Sequence, residues 1–353
     1  MMSTNDKAGT TSTSTNEDSS ETASATEAAS SARIRTVAVE EHFRTPELAA
    51  VLDGPERLMP PILGAKLADL GDARIADMDE VGIDVQVLSS AATQVHSMEP
   101  QTAISVSAGA NDALAKAVAE HPTRFAGLAT LATPDPEAAA RELERSVTEL
   151  GFVGAMIYGP THGNYLDHDS FTPILEAAEA LGVPLYLHPT YVPAAVVDAY
   201  YSDLPGEFGM MLSTGGMGWH YETAVHAMRL ILSGVFQRYP KLQIILGHDG
   251  EGIPFYIGRT IKVMHRASPE MSAHVGHAWK NNFYVSTSGF FTDAPFQTVL
   301  GTTPIDRILF AMDYPYARDP EAIEWARSTT TLDDASRRKV LHENSDRLFK
   351  LTP

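Results

Sequence analysis

Cysteine is absent from this 353-residue sequence, and positive charge is scarce beside negative charge. Without cysteine there can be no disulfide, no thiolate ligand and no catalytic thiol, so any metal site must be built from histidine, aspartate and glutamate. The 26 lysines and arginines against 45 acidic residues give a net charge of −19 at pH 7, which argues against nucleic acid as a partner because like charges repel. No stretch approaches the roughly 18 consecutive apolar residues that a membrane span needs.

The composition changes once along the chain, after residue 32. Residues 1–32 are rich in serine, threonine, alanine and acidic residues and show no periodic apolar pattern, so they cannot bury enough surface to offset their ordering entropy. We therefore expect a disordered N-terminal tail over residues 1–32 and one large folded domain over residues 33–353. The tail has neither the basic start and apolar run of a secretory signal nor the arginines of a transit peptide, which favours a cytoplasmic protein.

Eight short apolar segments, separated by amphipathic helical stretches, follow the tail. They begin at Thr36, Asp84, Phe125, Gly154, Pro184, Gln243, Phe283 and Arg307. Near-continuous apolar runs are typical of parallel strands buried on both faces, and their alternation with helices implies right-handed crossovers. The pattern predicts an α/β fold, a (β/α)₈ TIM barrel with loop insertions. A doubly wound open sheet is the competing fold, but no glycine-rich dinucleotide fingerprint follows the first strand.

Polar residues of the metal-ligand type lie at the carboxyl ends of four of these segments. Side chains alternate along a strand, so Glu40 and His42 in "VEEHF" point to one face of the first strand. His188 ends the fifth strand, His248 the sixth and Asp313 the eighth. The carboxyl ends of barrel strands meet at the face where active sites are assembled. One such residue would be read as structural, but five at four strand ends predict a metal-binding active site.

The segments "EEHF", "LYLHPT", "ETAVHAMRLILSGVF", "IILGHDGEGIPF" and "ILFAMDYPY" resemble the amidohydrolase superfamily. More narrowly, they resemble its branch of aromatic acid decarboxylases, the relatives of aminocarboxymuconate-semialdehyde decarboxylase and γ-resorcylate decarboxylase. The resemblance runs from about Val37 to Leu351. It implies a carboxy-lyase, a metal-dependent enzyme that removes CO₂ without oxidation from a hydroxybenzoate-type aromatic acid. It also implies a homo-oligomer, either a dimer or a tetramer.

The resemblance further implies a role for each matching residue. It makes four residues the ligands of one divalent ion: Glu40, His42, His188 and Asp313. Asp313 would also carry the proton, and His248 and Glu251 would be catalytic. Arg259 matches a position that in relatives helps to bind the substrate carboxylate, sometimes across a subunit interface. Relatives commonly have methionine where this chain has Asp249, so the identity of the aromatic acid stays open.

The ligand chemistry agrees with a single metal ion. Dinuclear amidohydrolases carry a bridging carbamylated lysine at the end of strand 4, and here that strand, "GAMIYG", ends without a lysine. Two imidazoles and two carboxylates suit Zn²⁺ or Mn²⁺. We favour Mn²⁺ narrowly, because it expands its coordination more readily to admit substrate oxygens.

Two other functions remain open from the sequence. The same metal face could activate water, which would make the protein a mononuclear hydrolase of a lactone or an amide. A barrel that has lost its chemistry could instead act as a binding protein. Trp219 and His220, which follow a long insertion after strand 5, could line the wall of the pocket. The start of a helix and packing against the barrel explain these two residues nearly as well.

Overall fold

A computed structural model describes residues 33–53, 59–317 and 320–352. From Arg35 onward the described residues belong to one compact unit. The predicted tail over residues 1–32 lies outside the described residues, so its disorder and the cytoplasmic location inferred from it stay predictions.

Eight parallel strands form one sheet in chain order, each paired with the next. They are β1 Val37–Phe43, β2 Val85–Ser90, β3 Phe125–Thr130, β4 Gly154–Tyr158, β5 Leu185–His188, β6 Ile244–Leu246, β7 Phe283–Ser286 and β8 Ile308–Leu309. The ring closes between β1 and the chain that follows β8. The amide of Val39 donates to the carbonyl of Phe310 at 3.1 Å, and that of His42 donates to Tyr314 at 2.6 Å. The predicted (β/α)₈ barrel is confirmed.

Helices connect the strands and cover the barrel. The α-helices are α1 Pro46–Val51, α2 Pro61–Ala68, α3 Asp72–Val81, α4 Pro100–Glu120, α5 Pro136–Thr148, α6 Thr172–Leu181, α7 Ala194–Tyr200, α8 Phe208–Ser213, α9 Gly218–Leu232, α10 Val235–Arg238, α11 Ile253–Ala267, α12 Pro269–Asn282, α13 Asp293–Leu300, α14 Pro320–Ser328, α15 Asp334–Arg338 and α16 Asn344–Phe349. Short 3₁₀ turns and one π-helix complete the set: Val95–Ser97, Asp169–Phe171, Ile305–Arg307 and Lys339–Glu343. Among the described residues, no helix is both long enough and apolar enough to cross a membrane.

One buried apolar cluster takes members from all eight strands. Its strand residues include Val37, Val85, Ala126, Met156, Tyr186, Ile245, Tyr284 and Leu309. Burial of such side chains is the main favourable term in folding. The cluster therefore makes the barrel a rigid frame for the groups at the strand ends.

The helix that carries Trp219 and His220 ends earlier than its apolar pattern suggests. The sequence favours one helix from Glu222 to Phe236, whereas α9 stops at Leu232 and α10 starts again at Val235. Gly234 lies between them with φ +78°, a left-handed conformation that glycine adopts without strain. The apolar periodicity continues across this break, which is why the sequence did not reveal it.

Candidate metal centre and active site

The first strand places its two carboxylates on different sides of the barrel wall. Between Ala38 and Glu41, β1 carries one residue more than β2, a bulge of the kind often found beside active sites. Glu40 points to the site, as the alternation predicts. Glu41 instead accepts hydrogen bonds from the amide of Met312 at 2.9 Å and from Nε2 of Gln86 at 3.3 Å. Glu41 thus ties the segment that carries Asp313 to the first strand.

Four predicted ligands converge at the carboxyl ends of the strands. One ligand atom from each of Glu40, His42, His188 and Asp313 lies within 4.8 Å of all the others. Nε2 of His188 is 3.3 Å from Oε1 of Glu40, and Nε2 of His42 is 3.2 Å from Oδ1 of Asp313. His188 comes from the last residue of β5, while Asp313 lies in the loop beyond β8.

The hydrogen bonding of these ligands fits a divalent cation. Within the described part of the chain, three buried atoms that face one another have no hydrogen-bond partner: Oε1 of Glu40, Nε2 of His42 and Oδ1 of Asp313. Buried polar atoms nearly always have a hydrogen-bond partner. Three such atoms that face one another without partners therefore indicate that a bound ion belongs between them. Two imidazole nitrogens and two carboxylate oxygens match the ligand preferences of Zn²⁺ and Mn²⁺. The chain therefore carries a site for one divalent ion.

Neighbouring groups orient both histidine ligands. Nδ1 of His188 lies 2.7 Å from the carbonyl of Pro189, which can only accept, so Nδ1 carries the proton and Nε2 offers its lone pair. Nδ1 of His42 lies 3.1 Å from Oγ of Ser89. Such contacts fix the tautomer and the ring plane of a metal-binding histidine.

The second carboxylate oxygen of Glu40 is held by hydroxyl groups that the sequence did not point to. Tyr186 and Ser288 donate to Oε2 of Glu40, and Ser286 lies 3.4 Å from the same oxygen. Tyr186 and Ser286 belong to apolar-looking strands and Ser288 follows β7, and only barrel closure brings the three together. Oε1 of Glu40 is thereby left to face the other ligands.

A left-handed turn follows β6 and carries the catalytic candidates. His248, Asp249 and Glu251 have φ values of 49°, 53° and 57°, and the glycines at 250 and 252 are also left-handed. Residues other than glycine are strained in this region, by about 1–3 kcal/mol each. Strain of this kind is typical of functional sites. The sequence placed His248 at the end of a strand, whereas it lies in this turn, beyond Leu246.

Glu251 links two histidines. Its Oε1 lies 2.8 Å from Nδ1 of His248, and its Oε2 lies 2.7 Å from Nδ1 of His220. Burial alone would lower the pKa of His248, but the carboxylates of Glu251 and Glu40 raise it well above its usual value. Nε2 of His248 is 3.9 Å from Oε1 of Glu40 and 3.9 Å from Oδ2 of Asp313, so this imidazole borders the metal site.

The site also shifts the pKa values of its metal ligands. Burial raises the pKa of Glu40. Burial, followed by the neighbouring imidazole of His42, lowers the pKa of His188 well below its usual value, which favours the neutral form of this ligand. Burial would raise the pKa of Asp313, but the neighbouring imidazoles of His248 and His42 hold it below the usual range.

A cavity of about 410 Å³ opens beside the left-handed turn that follows β6. Its lining includes Met217, His220, Tyr221, His248, Asp249, Glu251, Phe255 and Phe290. Asp249 is buried, and neither of its carboxylate oxygens has a hydrogen-bond partner among the described residues. Arg259 lies elsewhere, on the exposed side of α11, and is not brought to this lining within the part of the chain that the structure describes.

Comparison with known proteins places this geometry in a family. The amidohydrolase family model matches residues 42–351. A gamma-resorcylate decarboxylase of Polaromonas sp. strain JS666 is 40% identical over 332 residues, which cover 89% of this chain and 98% of that protein. The gamma-resorcylate decarboxylase of Rhodococcus jostii strain RHA1 is 36% identical, with coverage of 89% and 98%.

Solved structures give the same picture. The dihydroxybenzoic acid decarboxylase of Polaromonas sp. JS666, with bound manganese and the inhibitor 2-nitroresorcinol, is 36% identical with a TM-score of 0.82, covering 90% of this chain and 98% of that one. The 5-carboxyvanillate decarboxylase of Sphingomonas paucimobilis is 32% identical with a TM-score of 0.83, covering 91% and 100%. The chain thus belongs to the amidohydrolase family, in its branch of aromatic acid decarboxylases.

Proposed function

We propose that this chain is a metal-dependent, non-oxidative decarboxylase of a hydroxybenzoate-type aromatic acid. The observation that carries the proposal is the convergent set of four ligands, which leaves three unpaired atoms facing one another. The similar decarboxylase of Polaromonas sp. JS666 holds manganese, which supports Mn²⁺ ahead of Zn²⁺ for this site. The small aromatic acids or inhibitors bound by such neighbours support the substrate class.

The reaction exchanges a carboxylate on the ring for a proton, so the site must deliver a proton to carbon. A divalent ion, when bound, would orient the substrate oxygens and stabilise their negative charge. Asp313 is the proposed proton carrier, because a side-chain oxygen of Asp313 faces the ligand cluster. Since the pKa of Asp313 is held below the usual range, Asp313 must first take the proton from a substrate hydroxyl and then pass it to the ring. The ring carbon that bears the carboxylate takes the proton, and the loss of CO₂ then restores aromaticity. Nε2 of His248 lies 3.9 Å from Oδ2 of Asp313, where it can supply a proton to Asp313 or bind the carboxylate of the substrate.

Product analysis tests this function against hydrolysis. Purified protein reconstituted with Mn²⁺ is offered a panel of hydroxybenzoates, lactones and amides. We expect CO₂ and the matching phenol from at least one hydroxybenzoate. A ring-opened acid from a lactone, without CO₂, would instead establish the hydrolase alternative. If the protein purifies without metal and binds none, this result would support the binding-protein alternative.

We propose one ion per chain. The β4 strand ends without a lysine, so no carbamylated side chain is available there to bridge two metals. Elemental analysis of fully active protein should give one equivalent of metal per chain. Two equivalents, both required for activity, would contradict the mononuclear site.

We infer that the chain forms a homo-oligomer, a dimer or a tetramer, with Arg259 at the interface. A groove of about 330 Å³ between α9 and α11 includes Tyr221, Val225 and Tyr256 in its lining, all three substantially exposed. Phe255, on the same helix as Arg259, is 73% exposed. Exposed apolar patches of this kind mark interaction sites. A second copy could bring its Arg259 towards a substrate carboxylate.

A further inference from the structure

His220 lies beside the left-handed turn that follows β6, and both of its ring nitrogens are within hydrogen-bond distance of a partner. Nδ1 lies 2.7 Å from Oε2 of Glu251, and Nε2 lies 3.1 Å from the carbonyl of Gly215. The ring also contacts Phe290 edge-on, with 5.6 Å between the centroids. This side chain therefore has a defined position on the cavity wall.

Each oxygen of Glu251 has its own histidine partner. A carbonyl oxygen only accepts, so Nε2 of His220 carries a proton towards Gly215. Nδ1 of His220 and Nδ1 of His248 are hydrogen-bonded to different oxygens of Glu251. Since Glu251 is buried, both of its oxygens need such partners.

We propose that His220 is a positioning residue for the reaction and acts through Glu251. It occupies one oxygen of the carboxylate, so that the other faces Nδ1 of His248 and fixes the orientation of that imidazole ring. Nε2 of His248 then faces Glu40 and Asp313, where the proposed chemistry takes place. This role rests on the proposed decarboxylase function.

The contacts argue against a second metal ion at this place. Ligand atoms of His220, His248 and Glu251 lie within 4.8 Å of one another, so the group has the composition of a cation site. However, the two Nδ1 atoms face different oxygens of Glu251 at 2.7 Å and 2.8 Å. These are ordinary hydrogen-bond distances, and they already satisfy the carboxylate.

Substitutions at position 220 separate positioning from packing. His220→Ala removes the imidazole that is hydrogen-bonded to Oε2 of Glu251, and we expect kcat to fall about 10- to 100-fold while KM and metal content stay unchanged. His220→Asn places an amide N–H close to where Nδ1 of histidine lies, so it should recover most of the activity. His277→Ala, on the exposed side of α12, is the matched control and should leave kcat unchanged.

A double-mutant cycle tests whether His220 acts through Glu251. In a Glu251→Gln background, His220→Ala should add little further loss, because the group that it positions is already changed. If the two losses multiply, or if His220→Ala alone keeps the wild-type kcat, the positioning role is wrong.

Nitrogen-15 NMR of histidine-labelled protein gives a readout that needs no substrate. We expect a downfield imidazole N–H signal for His248 that persists in His220→Asn and is lost or shifted in His220→Ala. If the wild type releases CO₂ from none of the acids tested, the proposed decarboxylase function is wrong. The His248 signal still tests whether His220 orients His248 through Glu251. An unchanged His248 signal in His220→Ala would overturn the positioning role even in an active decarboxylase.

Discussion

Gly247 lies so close to Glu40 that a side chain has no room between them. A Cβ on Gly247 would meet Oε2 of Glu40 at 2.6 Å, well inside contact distance. The φ of Gly247 is −71°, which any residue can adopt, so the glycine is needed for space and not for its backbone.

Gly247→Ala should therefore disturb the metal site directly. The added methyl group pushes the Glu40 carboxylate away from Tyr186 and Ser288, so metal affinity and kcat should both fall. Metal titration followed by activity assays measures this. Gly109→Ala is the control, since nothing lies within 4 Å of a Cβ at that exposed position in α4. The control should bind metal normally, and equal affinity in both variants would contradict the steric argument.

Metal rescue should distinguish the ligands from the proton carrier. His188→Ala removes a neutral nitrogen ligand, so added Mn²⁺ should restore part of the activity. Asp313→Asn keeps an oxygen ligand but loses the titrating proton. Loss of general acid catalysis should lower kcat by about 100- to 10,000-fold. Excess Mn²⁺ should fail to rescue it. If Mn²⁺ returns Asp313→Asn to near wild-type turnover, Asp313 is only a ligand and His248 becomes the candidate acid.

Arg259→Ala should raise KM for the aromatic acid more than it lowers kcat, because the residue is proposed to bind the carboxylate. Arg266→Ala, an exposed arginine on the same helix, is the matched control.

Sedimentation of the wild type should show a dimer or a tetramer. A fully active monomer would exclude both the assembly and the contribution of a neighbouring arginine.

Asp249→Gly should stabilise the protein. The change relieves a left-handed backbone, worth on the order of 1 kcal/mol, and removes a buried carboxyl that has no partner among the described residues. Asp203→Gly is the control, because Asp203 is also left-handed (φ 63°) but exposed. Thermal melting should show the larger gain for Asp249→Gly. A loss of stability would mean that this carboxyl has a partner in solution.

His226 should contribute to acid sensitivity. Burial lowers its pKa to about 3, and the imidazole accepts a hydrogen bond from the amide of Leu166. The unfolded chain takes up a proton near the usual value of about 6.5, whereas the folded chain resists it, so stability falls as the pH drops from about 6.5 towards 3. His226→Gln keeps an acceptor without titrating and should flatten this loss in melting curves between pH 7 and 5. His277→Gln should leave the slope unchanged.

The strands and the five ligand-type residues at their ends were predictable because their signals are local, whereas only the family resemblance set His248 apart from the other four. Apolar runs mark buried strands, and a ligand-type residue at the end of such a run marks the active face, as His188 does on β5. The donors to Glu40 were not predictable in this way. Tyr186 reads as an apolar strand residue, and Ser286 lies on a strand 100 positions further along, so only the closed ring of strands brings them to one carboxylate.

The role of His220 was only weakly indicated. A histidine in the first turn of a helix is compatible with the pocket wall and with packing, and the choice depends on how α9 is rotated against the barrel. The left-handed turn was partly visible in the glycines of "GHDGEG". Its continuation through His248, Asp249 and Glu251 required the structure.

The ring of strands is closed by the two ends of the barrel sequence, with β1 bonded to the chain after β8. Glu40 and His42 are therefore made early during translation, and Asp313 is made last of the four ligands. A growing polypeptide holds an incomplete ligand set until nearly the whole barrel has left the ribosome, and domains of this kind fold as units. The complete ligand set therefore exists only after Asp313 has been made, and a chain that stops before Asp313 lacks one of the four proposed ligands.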